Sequence, residues 1–127
     1  MSKTSFNHKF PIIIIEGTIR KNAERTLRLA LDTGCSRTMI PFEAAEAIGC
    51  DPGGSPSRTR IVTGSGIEIV PVVSLKSIKA LGKTMKNLEV ACHDLPEEGF
   101  VDGLLGLDFL KNFKLTINFE KGIIRLL

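Results

Sequence analysis

Apolar stretches in this 127-residue chain are short, and a glycine, a proline or a polar cluster follows nearly every one. Such punctuation leaves little room for long helices and favours many short strands joined by turns. Phe10 to Ile19 and Arg25 to Leu31 read as two strands joined by the polar turn Arg20-Lys21-Asn22-Ala23-Glu24. Thr38-Met39-Ile40 is a short strand. Arg58 to Thr63 and Ile67 to Leu75 pair about Gly64-Ser65-Gly66, with Pro71 marking an edge position or a bulge. Leu75 to Leu81 and Met85 to Cys92 form a hairpin through Gly82-Lys83, and Lys114 to Phe119 and Gly122 to Leu127 another about Glu120-Lys121. Pro41 opens a helix over Phe42 to Ile48 that Gly49 closes. Leu107, Leu110 and Phe113 fall at the spacing of a second short helix. The expected class is all-β, a barrel with one or two short helices.

Composition narrows the function. Apolar residues make up 43% of the chain and charged ones 24%, an ordinary globular balance for one domain. Seven Phe with no Trp or Tyr make the core aliphatic. Net charge is +3 and the basic residues are scattered without interleaved aromatics, which argues against a nucleic-acid partner. The apolar run Phe10 to Ile15 is too short to span a membrane or to form the core of a secretion signal, so no membrane partner is expected. Cys35, Cys50 and Cys92 form neither a disulfide framework nor a zinc spacing, which points to a reducing cytoplasm. His8 and His93 have no cysteine or carboxylate at ligand spacing, and no metal is expected.

The chemistry concentrates at Asp32-Thr33-Gly34, which follows the apolar run Leu29-Ala30-Leu31. An aspartate at the end of a buried strand, held by a Thr-Gly turn, suits acid–base work on water. About seventy residues on comes Val101-Asp102-Gly103-Leu104-Leu105-Gly106-Leu107-Asp108-Phe109-Leu110. The two segments together resemble the retroviral-type, or retropepsin-like, aspartic proteases, particularly their single-domain cellular and bacterial members. There the Asp-Thr-Gly turn is supported by an apolar-apolar-Gly segment leading into a short helix. The resemblance runs from about residue 10 to the C-terminus. It implies a closed acid-protease barrel over 10–127, a flexible segment over 1–9, and a twofold homodimer as the working form.

By the same resemblance Asp32 is the catalytic acid/base, Thr33 ties the two active-site turns together across the dimer axis, and Gly34 lets the substrate backbone approach. Thr63-Gly64-Ser65-Gly66 resembles the flap that closes over substrate, and Leu104-Leu105-Gly106 the supporting segment. The substrate is a peptide or protein, and no cofactor is needed. Because the chain carries one Asp-Thr-Gly, the second carboxylate must come from another subunit. Asp102-Gly103-Leu104 lacks the Thr and belongs to the supporting segment. Apolar flap and wall residues suggest a preference for apolar side chains beside the scissile bond.

The sequence departs from the family pattern twice. Cys35 stands where Ala or Ser is common, and a thiol is a poor donor to the catalytic carboxylate, so the dyad is expected to favour a less acidic pH. Leu107 stands where retroviral enzymes carry an Arg paired with an acid near the turn; Ser36-Arg37 supply no such acid. Asp108 is expected to cap or complement the following helix. The competing function is a catalytically weak peptide-binding or dimerisation module on the same barrel.

Overall fold

In a computed structural model, which describes residues 2–127, twelve strands form two sheets. The larger sheet begins with β2 (Ile14–Arg20) and β3 (Glu24–Leu31), antiparallel with Gly17 opposite Leu27. In β3, Leu27 and Leu29 point inward while Thr26 and Arg28 face out, the alternation of a half-buried strand. The strand β4 (Met39–Ile40) leads into α1 (Phe42–Ala47), whose first N–H, on Phe42, is capped by the Asp94 carboxylate at 3.0 Å. Next come β5 (Arg58–Thr63), β6 (Gly66–Ser74), β7 (Ser77–Ala80), β8 (Lys83–Lys86), β9 (Glu89–Cys92) and β10 (Gly103–Leu105). The spatial order is β5-β6-β9-β4-β10-β3-β2-β7-β8, a curled half-barrel. The helix α2 (Leu107–Leu110) then precedes β11 (Leu115–Asn118) and β12 (Ile123–Leu126).

Several elements differ from the sequence reading, each for a local reason. The first strand of the large sheet starts at Ile14 rather than Phe10, because Phe10 N–H turns back to the Asn7 carbonyl and Pro11 has no N–H to give a ladder. Residues 2–5, expected within a flexible segment, form β1 (Ser2–Ser5), antiparallel to β12 with Thr4 opposite Ile124. The stretch Met85 to Cys92 is two strands, broken at Asn87, whose φ is +57°. That break lets β9 leave β8 and insert between β6 and β4. Val90, Ala91 and Cys92 are all buried, because β9 lies inside the sheet and carries packing on both faces. Pro71 sits where β6 changes partner: residues up to Pro71 pair with β5, and Val72 onward with β9. The missing proline N–H falls at that hand-over.

β12 lies between β1 and β11, so both of its edges are occupied within the chain and Ile124 and Leu126 are buried. It is a core strand, and the edges of the small sheet are β1 and β11. The main core gathers Ile19, Leu29, Ile40, Ile48, Leu75, Ile78, Val90, Leu105 and Phe109 between the sheet and the helices. A second, smaller cluster of Met39, Ile61, Val70 and Ala91 lies beneath the β5–β6 hairpin, with Cys35 and Leu104 packed against it. Among the described residues, no helix is long and apolar enough to cross a membrane.

Candidate active site

The turn that joins β3 to β4 does not join sheet neighbours. β10 threads between them, parallel to β3 with Leu105 opposite Leu31 and antiparallel to β4 with Leu104 opposite Met39. This brings Leu104-Leu105-Gly106 directly beneath Asp32-Thr33-Gly34. The Asp32 N–H donates to the Leu105 carbonyl at 3.0 Å, and the Leu107 N–H donates to the Cys35 carbonyl at 2.8 Å. The contact is so close that a Cβ on Gly106 would stand 2.7 Å from the Cys35 carbonyl oxygen, so only glycine fits there.

The Asp32 carboxylate is half-buried at the end of its strand. Its Oδ1 accepts the Gly34 N–H at 2.9 Å, which fixes the plane of the carboxylate. Its other oxygen accepts no hydrogen bond among the described residues. Thr33 and Gly34 are exposed. Asp102 is directed elsewhere: its Oδ2 accepts the Arg28 N–H at 2.8 Å, at the far end of β10.

Thr38 and Asp108 form a network that the sequence reading missed. Thr38 is fully buried; its hydroxyl donates to Asp108 Oδ1 at 2.7 Å and accepts the Gly106 N–H at 3.1 Å. The Thr38 N–H donates to Asp108 Oδ2 at 2.9 Å. Asp108 does not cap α2, because it lies inside the first turn and the N-cap is Gly106 with no side-chain cap bond; its charge complements that turn, and its Oδ1 accepts the neighbouring Phe109 N–H at 2.9 Å. Its larger role is to tie the helix to the exit of the Asp32 turn. Leu107 leaves no arginine to make such a brace; Asp108 and Thr38 supply one from adjacent positions. The signal lay in an acid one residue past Leu104-Leu105-Gly106-Leu107 and a threonine six past Asp32, but nothing in the sequence joins them.

Cys35 is half-buried, and its thiol donates to the Arg37 carbonyl at 2.9 Å rather than to Asp32. Burial pushes the thiol above its ordinary range, and the Asp32 and Asp108 charges add to that.

The β5–β6 hairpin stands over this turn. Thr63 and Gly66 pair at its end, so the tip is Gly64-Ser65 and Gly66, at φ +118°, is the first strand residue. The Thr63 hydroxyl accepts the Ser65 N–H and donates to the Gly66 carbonyl, both at 3.2 Å. Between hairpin and turn lies a cleft of about 300 Å³ lined by Asp32, Gly34, Cys35, Arg37, Met39, Ile61 and Leu104, among others. Leu105 and Gly106 lie behind its wall, and Thr63 to Gly66 extend beyond its lining. A larger hollow of about 620 Å³ runs along β1 and β2 to Gly82 but contains neither Asp32 nor the hairpin, so the smaller cleft is the chemical candidate.

The aspartyl protease family profile matches residues 15–109. A retropepsin-like aspartic protease from Rickettsia conorii superposes with a TM-score of 0.72 at 24% identity, covering 98% of this chain and 87% of that one. The protease of simian foamy virus (mac) gives 0.51 at 20% identity over 77% and 91% of the two chains. The retroviral protease-like domain of Ddi1 from Leishmania major gives 0.55 at 15% identity over 93% and 95%. No curated protein matches.

Proposed function

The chain belongs to the aspartyl protease family and has the retropepsin-like fold, and from this we propose that it is an aspartic endopeptidase that works as a homodimer. One observation carries the reading. Among the described residues, Asp32 is the one carboxylate lining the cleft beneath the hairpin, at the end of a buried strand. Peptide hydrolysis by carboxylates needs two, so the second is Asp32 of another copy, brought opposite by a twofold axis.

In that dimer one Asp32 carboxylate takes a proton from the attacking water while the other, protonated, gives its proton to the carbonyl oxygen. The water oxygen bonds to the carbonyl carbon to form a gem-diol. Return of a proton to the amide nitrogen then breaks the C–N bond. Two like charges so close cannot both ionise, so the pair shares one proton and titrates as a unit, as is general for aspartic proteases. The Gly34 N–H holds each carboxylate in plane. Thr33, exposed beside it, links the two turns across the axis. Leu104-Leu105-Gly106 supports each turn from behind, and the hairpin end Thr63-Gly64-Ser65-Gly66 closes over a peptide or protein substrate. This chemistry asks for no metal or organic cofactor. Three cysteines with free thiols fit a reducing cytoplasm.

The test is Asp32→Asn. The variant should keep its circular dichroism and its sedimentation while losing cleavage of an unstructured protein. Cleavage retained in the variant would overturn the reading. So would a wild type inactive from about pH 3 to 8 at high concentration, which is the outcome expected of a binding module.

A further inference from the structure

The cleft carries charge as well as chemistry. Its floor is apolar, made by Met39, Ile61 and Leu104, but its lining also holds two cations, Arg37 and Arg60. Arg60 joins that lining from an exposed position on β5, next to the buried Ile61. Arg37 is different. It lies on the same turn as Asp32 and is half-buried, and its guanidinium makes one long hydrogen bond, from Nη1 to the Glu89 carbonyl at 3.4 Å. Among the described residues, no carboxylate pairs with it.

A guanidinium presents several donors in a planar fork that matches a carboxylate, and one weak bond to a carbonyl leaves most of them unused. Among the described residues, Asp32 is the only acid in the lining, and it has its own bond to Gly34. An acidic side chain entering the cleft would therefore meet a cation without an ionic partner above an apolar floor, where screening by water is reduced.

We infer that Arg37 is a specificity residue: it selects peptides with Glu or Asp one or a few residues from the scissile bond. The inference rests on the protease reading above, with apolar side chains filling the rest of the cleft. Lys at that position is rejected by like charge.

The experiment uses octapeptides with a fixed central apolar pair and Glu, Gln or Lys placed in turn at each flanking position. For the wild-type chain, kcat/KM at one position should be about tenfold higher with Glu than with Gln, and lower again with Lys. Arg37→Ala should bring the Glu and Gln peptides together, and Arg37→Glu should reverse the order in favour of Lys. The same peptides, fluorescently labelled, are titrated onto the Asp32→Asn chain, so that binding reports the preference even without turnover. Equal kcat/KM and equal binding for Glu and Gln at every position would overturn the assignment, as would a Glu preference that persists in Arg37→Ala. Cleavage without charge preference would remove Arg37 from the account and leave the protease reading standing. Charge-selective binding without cleavage would do the reverse.

Discussion

Thr38→Val is the sharpest probe of how the Asp32 turn is held. The side chains have nearly the same shape, so the change removes one hydroxyl from a fully buried site. Two partners lose it: Asp108 Oδ1, which accepted its proton at 2.7 Å, and the Gly106 N–H, which donated to it at 3.1 Å. A hydrogen bond to a charged acceptor is worth about 1.5–3 kcal/mol, and a buried donor left without a partner costs about 1–3 kcal/mol. The added methyl returns about 0.8 kcal/mol, and Asp108 keeps the N–H groups of Thr38 and Phe109. The expected net loss is about 3 kcal/mol, or roughly 10 °C in Tm for a domain of this size. Thr38→Ser keeps the hydroxyl and loses a methyl, and should cost about 1 kcal/mol. Urea and thermal unfolding followed by circular dichroism compare the two. A Val variant as stable as wild type, or a Ser variant less stable than Val, would mean that packing rather than the Asp108 network holds the turn.

Two cysteine predictions follow. Because the Cys35 thiol bonds to the Arg37 carbonyl, a hydroxyl there keeps the same partner, and Cys35→Ser should leave the acidic limb of the pH–rate profile in place; a downward shift would show that residue 35 reaches the Asp32 pair. Cys92 is fully buried, and burial pushes its thiol up to about 12 from an ordinary 9.0. A group whose folded pKa is raised contributes stability that is whole below the unfolded value and is lost between that value and the folded one. Stability should therefore decline from about pH 9 toward pH 12, less steeply in Cys92→Ala, and iodoacetamide at pH 9 should label Cys92 only in urea. Labelling of Cys92 in the folded chain would contradict its burial.

Much of this was legible in the sequence because it is local. The strand over Arg25 to Leu31, the turn at Gly64-Ser65-Gly66 and the Pro41 start of α1 are written in neighbouring residues. Asp32 and Gly106 could be joined across some seventy residues only through resemblance, and the structure brings their segments into hydrogen-bonding contact. What stayed hidden depends on register between distant strands. Periodicity cannot reveal that β10 inserts between β3 and β4, nor that Asn87 breaks a run that reads as one strand. The Thr38–Asp108 brace was invisible for the same reason: its members are seventy positions apart and meet only because β10 is threaded there. In the sequence Arg37 marked only the lack of an acid near the turn, and only the cleft lining gives it a place.

The central claim is that each active site uses Asp32 from two chains, and a mixing assay tests it most directly. Wild-type protein is held at a fixed concentration, above the dimer dissociation constant, and equilibrated with about a ninefold excess of the Asp32→Asn chain. Random pairing leaves roughly one wild-type chain in ten facing another, so cleavage should fall about tenfold. A bystander protein in the same excess should have no effect. Cleavage unchanged by the excess Asp32→Asn chain would mean that a single copy of Asp32 suffices, and would contradict the shared pair.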